Sequence, residues 1–425
     1  MGKTRCTIFL EYIPPYHGSD KPIFELTQHL DKSKFKVTYV VLPPLMALWE
    51  LHHNLHNSRR IKYLFKFKNE KINNIKRILL PGWLLKCWKK RLYPSYIITF
   101  IYLFIKLIRL KKQFDSEINF INHPSPFTGL LGLLISKIFR KRIFMHCPDL
   151  ISLYAIAVMV LGNHKSLIKE KGSFILEKLL LNQSDKILAV NSYIRDYIIR
   201  MKIKRKKIEI FPNGVDTSLF NPDIDNSKLI KKYNFDKFFN IIFVGIIEDW
   251  AGINTIIDSA KMLYNSHPNI RFLFIGDGKA RNKFENMKNQ ANIKFLGYKP
   301  HKIIPQFIKS ADIALLTFPN KQAYQAAHAA SPLKIFEYMA LGKPVISTYL
   351  AGLKDVIEPY KSGIFIYQRN PEELTKKILE LYENENMRKK IGLTARKTIM
   401  QRYDWNVISR SFEQICFLSM LKEPK

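Results

Sequence analysis

Cysteine is scarce in this sequence: four in 425 residues, at Cys6, Cys87, Cys147 and Cys416, with no CxxC pair. That pattern argues against a disulfide-built scaffold or a zinc module and fits reduced thiols in a cytoplasm. Acidic residues are scarce as well, 35 Asp and Glu against 69 Lys and Arg, which leaves a formal net charge of +34. A long apolar run is also missing. The longest, 96–110 (YIITFIYLFIKLIRL), is broken by Lys106 and Arg109. It is shorter than the roughly 20 helical residues that a bilayer span needs. No secretory leader is expected, because the strand-like 6–11 (CTIFLE) runs into Pro14-Pro15 before any apolar core forms. MGKTRC misses the myristoylation pattern, since position 6 is Cys. No repeat of solenoid period is present.

What remains is a chain built to fold. Hydrophobic residues make up 47%, with 29 Phe and 20 Tyr, which excludes global disorder. The length suits two domains, each with its own core. Positive charge gathers in 51–112, where 16 Lys and Arg face one acid, Glu70. Trp83, Trp88 and the apolar run lie in the same segment. Basic residues interleaved with Trp, Phe and Leu describe helices resting on an anionic membrane surface. The bland alternative is a solvated charged face on ordinary core helices. No nucleic-acid-binding motif accompanies the charge, so no nucleic-acid partner is expected. The second basic run, 200–207 (RMKIKRKK), reads as a solvated loop between domains.

Strand-like and helix-like pieces alternate twice along the chain. In the first half, strands are expected at 7–10, 36–42, 118–122, 142–146 and 186–190, with helices near 22–30, 128–139 and 174–181. A connector rich in Pro, Asn, Asp and Gly follows at 211–223 (FPNGVDTSLFNPD). The alternation then restarts, with strands at 240–244, 271–275, 293–296, 313–316 and 345–348 and helices at 255–264, near 304–310 and from 331. A last amphipathic helix runs from 403 to 420. Such alternation is the mark of α/β domains with parallel, doubly wound sheets. Sheets of this kind bind ligands beyond the carboxyl ends of their strands, so a cleft between two such halves is the expected active site.

Residues 331–348 (SPLKIFEYMALGKPVIST) carry the chemistry. Ser331 reads as an N-cap with Pro332 at the first helical position, and Gly342 with Pro344 as the stop. Lys334 then falls at the third helical position, where the helix dipole disfavours a cation. An anion bound at the unpaired first-turn amides of Leu333 and Lys334 would explain it. Glu337, one turn on, suits a pair of adjacent hydroxyls such as those of a ribose. The plain alternative is an i,i+3 surface ion pair of about 0.2–0.5 kcal/mol.

At these residues the chain resembles the retaining GT-B glycosyltransferases of glycosyltransferase family 4, and the likeness covers nearly its whole length. The resemblance is carried by 13–18 (IPPYHG), by 211–216 (FPNGVD) with 220–222 (FNP), and by 274–278 (FIGDG). Also part of it are 295–297 (FLG), 311–313 (ADI), 337–345 (EYMALGKPV) and 403–405 (YDW). The departures are Ala329, where a first glutamate usually stands, and Ile246 and Ala251, where an arginine and a lysine are usual.

The resemblance implies two Rossmann-like doubly wound domains facing across a cleft. Residues 1–210 would form the acceptor side, with 51–112 toward the membrane, and 211–235 the hinge. Residues 236–395 would bind the nucleotide sugar, and a C-terminal helix within 396–425 would cross back. It implies a retaining, metal-independent sugar transfer from a UDP- or GDP-linked donor to a lipid-linked or glycan hydroxyl, in surface polysaccharide or glycolipid assembly. The nucleotide sugar is substrate, and no cofactor or metal is expected. The enzyme would sit in the cytoplasm, peripheral on the inner face of the cell membrane. Donor-binding residues would be Gly18, Ser19, Gly245, Ser331, Leu333, Lys334 and Glu337. Lys334, His123, His146 and Asp149 are the candidates for chemistry; the two histidines end strands, where a satisfied structural histidine is the alternative. Asp223-Ile-Asp225, formally a DxD, reads as solvated. A nucleotide-sugar epimerase of the same shape and a non-catalytic subunit remain as alternatives, the latter because of Ala329.

Overall fold

A computed structural model describes residues 3–10, 21–42, 75–77, 94–110, 115–122, 126–150, 167–248, 251–285, 292–318, 329, 331–367 and 370–421. They fall into two compact units. One is drawn from Met1–Ala155, Ser166–Phe211 and Ser409–Lys425, the other from Pro212–Ile408.

The first unit runs β1 (Thr4–Leu10), α1 (Lys21–Gln28), β2 (Phe35–Val41), β3 (Ile75–Arg77), α2 (Pro94–Arg109), β4 (Ile118–Asn122) and α3 (Pro126–Ile138). It continues through β5 (Arg142–Cys147), α4 (Leu167–Gln183), β6 (Lys186–Ala189), α5 (Ser192–Arg200) and β7 (Ile208–Ile210). Its seven strands lie in the order β3-β2-β1-β4-β5-β6-β7, and every pairing is parallel. Central strands such as INFIN and RIFMHC are buried almost throughout, the pattern of a sheet covered on both faces. A buried polar chain ties β4 to α3. Ser116 Oγ donates to Asn119 Oδ1 at 2.6 Å and Asn119 Nδ2 to Ser136 Oγ at 2.8 Å. The 200–207 run is no loop between domains. It closes α5 and enters a 3-10 turn ahead of β7, inside this unit. Its Lys207 Nζ satisfies the carbonyls of Asn182 and Ser184, each at 2.8 Å.

The second unit contains α6 (Ser227–Tyr233), β8 (Phe239–Val244), α7 (Ile253–Leu263), β9 (Ile270–Ile275), α8 (Arg281–Glu285), β10 (Ile293–Gly297) and α9 (Ile304–Lys309). Then come β11 (Ile313–Leu316), α10 (Leu333–Ala340), β12 (Val345–Thr348), β13 (Ile364–Ile366), α11 (Pro371–Glu383), α12 (Glu385–Arg402) and the first residues of α13 (Trp405–Met420). The strands order as β10-β9-β8-β11-β12-β13, again all parallel. The sequence direction of strand addition reverses between β8 and β11, the switch point where open α/β sheets take ligands.

Helix α13 starts in the second unit and from Ser409 onward is part of the first. There Phe412 packs its ring against Phe120 at 5.6 Å and Phe211 at 5.7 Å between centroids. The Glu413 carboxylate accepts the Asp31 amide at 2.8 Å. Cys416 and Cys6 are both buried free thiols, and burial beside Cys6 holds Cys416 protonated. Among the described residues no helix is long and apolar enough to cross a membrane.

Candidate functional site

A helix that follows one parallel strand and feeds the next runs back against the sheet, so its N-terminus lies at the carboxyl edge of the strands. Helix α10 stands in that position ahead of β12. Its start differs by one residue from the sequence expectation. Pro332 is the N-cap, with φ −66° and ψ 128°, and makes no side-chain cap. Its extended ψ keeps it out of the helix. Leu333 is therefore the first helical residue and Lys334 the second. Ser331 does not cap; its carbonyl accepts Asn213 Nδ2 at 2.8 Å. The Ile335 amide turns back to the Pro332 carbonyl at 3.2 Å. The Leu333 and Lys334 amides meet no acceptor among the described residues. Gly342 ends the helix in the left-handed region at φ +65°, as its glycine stop requires.

Lys334 and Glu337 come together. Lys334 Nζ donates to Glu337 Oε2 at 2.9 Å, and the Glu337 side chain is only 5% exposed against 28% for Lys334. The ion pair of the plain reading is thus present. Its carboxylate, however, is buried, and a buried charge persists only with close partners. A second partner went unnoticed in the sequence: His301 Nε2 lies 3.1 Å from Glu337 Oε1. The signal was its position four residues after Gly297, at the carboxyl end of β10.

The floor of this region is backbone packed on backbone. Gly245 follows β8, and its amide donates to the Ile275 carbonyl at 2.9 Å. Gly276 sits at φ +141°, and a Cβ there would lie 1.8 Å from the Gly245 oxygen. The turn at 276–278 is therefore a close approach that a side chain forbids. Helix α10 is pinned to the same edge by Tyr338, whose hydroxyl accepts the Val244 amide at 2.9 Å. Burial pushes that phenol well above its ordinary range. The departure positions are now placed: Ala329 and Ala251 are buried, and Ile246 is exposed.

In the first unit, His146 is buried on β5, with Nδ1 at 2.7 Å from Asn122 Oδ1. An amide oxygen only accepts, so Nδ1 carries the hydrogen. Burial lowers this imidazole to about 3, which keeps it neutral. Its ring packs against Phe120 and Phe211. Asp149 lies two residues past β5 and is exposed as a residue, yet the protein around its carboxyl raises that group to about 6. His123, Gly18 and Ser19 lie outside the described residues. Asp223 and Asp225 are exposed, and Asp225 caps the Ser227 amide at 2.9 Å. No group of three or more His, Cys, Asp or Glu side chains gathers among the described residues in a way that could hold a metal ion.

Comparison with known proteins gives this geometry a context. Residues 225–398 match the family model described as glycosyl transferases group 1, and residues 18–219 match that of Glycosyltransferase Family 4. The uncharacterized glycosyltransferase MJ1069 of Methanocaldococcus jannaschii is 23% identical over 98% of both chains. The capsular polysaccharide biosynthesis glycosyltransferase CapM of Staphylococcus aureus is 25% identical over 75% of this chain and 81% of its own. The crystal structure of Anabaena Alr3699/HepE in complex with UDP superposes with a TM-score of 0.68, covering 98% of this chain and 100% of that one at 16% identity. Each half of the chain thus matches a glycosyltransferase family model, and the chain has a GT-B fold.

Proposed function

We propose that this chain transfers a sugar from a UDP- or GDP-linked donor to a hydroxyl of a glycan or lipid-linked acceptor, with retention of anomeric configuration. The observation that carries the reading is the start of α10. Two first-turn amides without acceptors among the described residues, a partly exposed Lys334 and a buried Glu337 stand together at the carboxyl edge of a parallel sheet. Amides and a cation suit a diphosphate, and a carboxylate one turn deeper suits a ribose diol. In the reaction the bond from the anomeric carbon to the donor phosphate breaks, and a bond to the acceptor oxygen forms on the same face. The acceptor proton passes to the departing phosphate oxygen. Lys334 and the amides stabilise the charge that develops there, so no protein nucleophile and no metal are needed. The names of CapM and the UDP held by HepE favour surface polysaccharide assembly and a nucleotide donor.

A thermal-shift screen of nucleotide sugars tests this. A ligand at a hundred times its dissociation constant stabilises by about 2.7 kcal/mol, so one UDP- or GDP-sugar should raise the unfolding temperature clearly. Glu337→Ala should abolish most of that shift. If no nucleotide sugar moves the transition, the reading is wrong.

The acceptor side of the proposal includes an anionic membrane surface on the cytoplasmic face. Helix α2 supports it. Thr99, Leu103 and Leu107 face inward, while Ile97, Ile101, Ile105 and Ile108 are 38–67% exposed at the i, i+4, i+8, i+11 spacing of one helix face. Lys106 and Arg109 close its last turn. The parent should float with anionic vesicles at low salt, and the double variant Ile101→Glu, Ile105→Glu should stay in the soluble fraction. Equal flotation of both would remove α2 from the contact.

A further inference from the structure

His301 has no role in the family likeness described above, yet it is built into the candidate site. Gly297 closes β10 at φ +70°, and the chain turns through Pro300 into a short 3-10 segment beginning at His301. There the imidazole meets the ring of Phe220 edge-on, with centroids 5.5 Å apart and planes at 62°. Phe220 is itself fixed. It is buried in the connector loop, and its carbonyl accepts Arg396 Nη1 at 2.9 Å. The same guanidinium nitrogen reaches the Ala340 carbonyl, at the far end of α10, at 2.6 Å. The imidazole thus rests on a residue whose backbone is tied, through Arg396, to the helix carrying Glu337.

Its Nε2 points at Glu337 Oε1. A carboxylate only accepts, so Nε2 carries the hydrogen. Lys334 holds the other oxygen. The two donors are 28% and 32% exposed above a carboxylate that is 5% exposed. A ligand arriving at Glu337 therefore meets a carboxylate whose plane is set from both sides.

We propose that His301 is a positioning residue: by holding one oxygen of Glu337 it fixes the carboxylate plane that reads the ribose, and so sets the preference for ribonucleotides. This rests on the reading of Glu337 given under Proposed function. The probes are UDP and GDP, each with its 2′-deoxy form, titrated calorimetrically into the full chain. The parent should prefer the ribonucleotide of the better-bound base by about tenfold or more, the scale of a hydrogen bond to a charged group. His301→Ala should bring that preference close to one, whereas His301→Gln, whose amide can still donate to Oε1, should keep most of it. A merely structural histidine would weaken both nucleotides alike and leave their ratio unchanged. If Glu337→Gln loses the preference while His301→Ala keeps it, the inference about His301 is overturned and the function stands. If the parent itself shows no preference, the ribose role of Glu337 fails, and the role of His301 fails with it.

Discussion

Lys334→Ala is expected to lower kcat for sugar transfer about 100-fold or more, the usual effect of removing one donor that stabilises developing negative charge. The ion pair complicates the experiment in a useful way. Alanine also takes a partner from the buried Glu337 carboxylate, which by itself would disturb the donor site and raise KM. The double variant Lys334→Ala, Glu337→Gln separates the two effects. If Lys334 acts on the departing diphosphate, kcat stays low when the stranded carboxylate is neutralised. Should the double variant recover the parent kcat, Lys334 serves only as a counter-ion to Glu337, and the site needs a different source of charge stabilisation.

Gly276→Ala should be the most damaging single-methyl change in the second unit. The new Cβ would fall 1.8 Å from the Gly245 carbonyl oxygen, at a residue held at φ +141°, so both backbone conformation and space oppose it. Neither neighbour is a flexible side chain that can step aside. Forced overpacking of this kind costs about 3 kcal/mol, and the loops after β8 and β9 must separate to relieve it. Denaturant unfolding should show that loss together with weakened nucleotide binding. Gly172→Ala is the matched control. Among the described residues nothing lies within 4 Å of a Cβ there, and at this exposed position of α4 the change should stabilise by up to about 1 kcal/mol. Equal effects at both positions would mean that the packed loops are not the floor of the site.

Much of the fold was legible because parallel strands are short, apolar and bounded by turn residues. Ile118–Asn122 and Ile313–Leu316 coincide with their expected ranges. The strand Ile208–Ile210 was missed because it has three residues and follows a basic run that reads as solvent-exposed. In the structure Arg205 and Lys207 of that run find carbonyl partners, while Lys202, Lys204 and Lys206 are exposed. Helix α10 was placed within one residue, since Pro332 is compatible with either the cap or the first helical position, and only its ψ decides. The pairing of Lys334 with Glu337 follows from helical spacing, but the burial of Glu337 does not. His301 joins Glu337 across 36 residues, a contact made by the 3-10 segment after β10. No local pattern encodes it.

A crystal of this protein soaked with its best-binding nucleotide sugar should show the diphosphate against the Leu333 and Lys334 amides, within reach of Lys334 Nζ, and the ribose hydroxyls on Glu337. A fully occupied ligand bound elsewhere, with the start of α10 still free of it, would mean that this helix start is not the donor site.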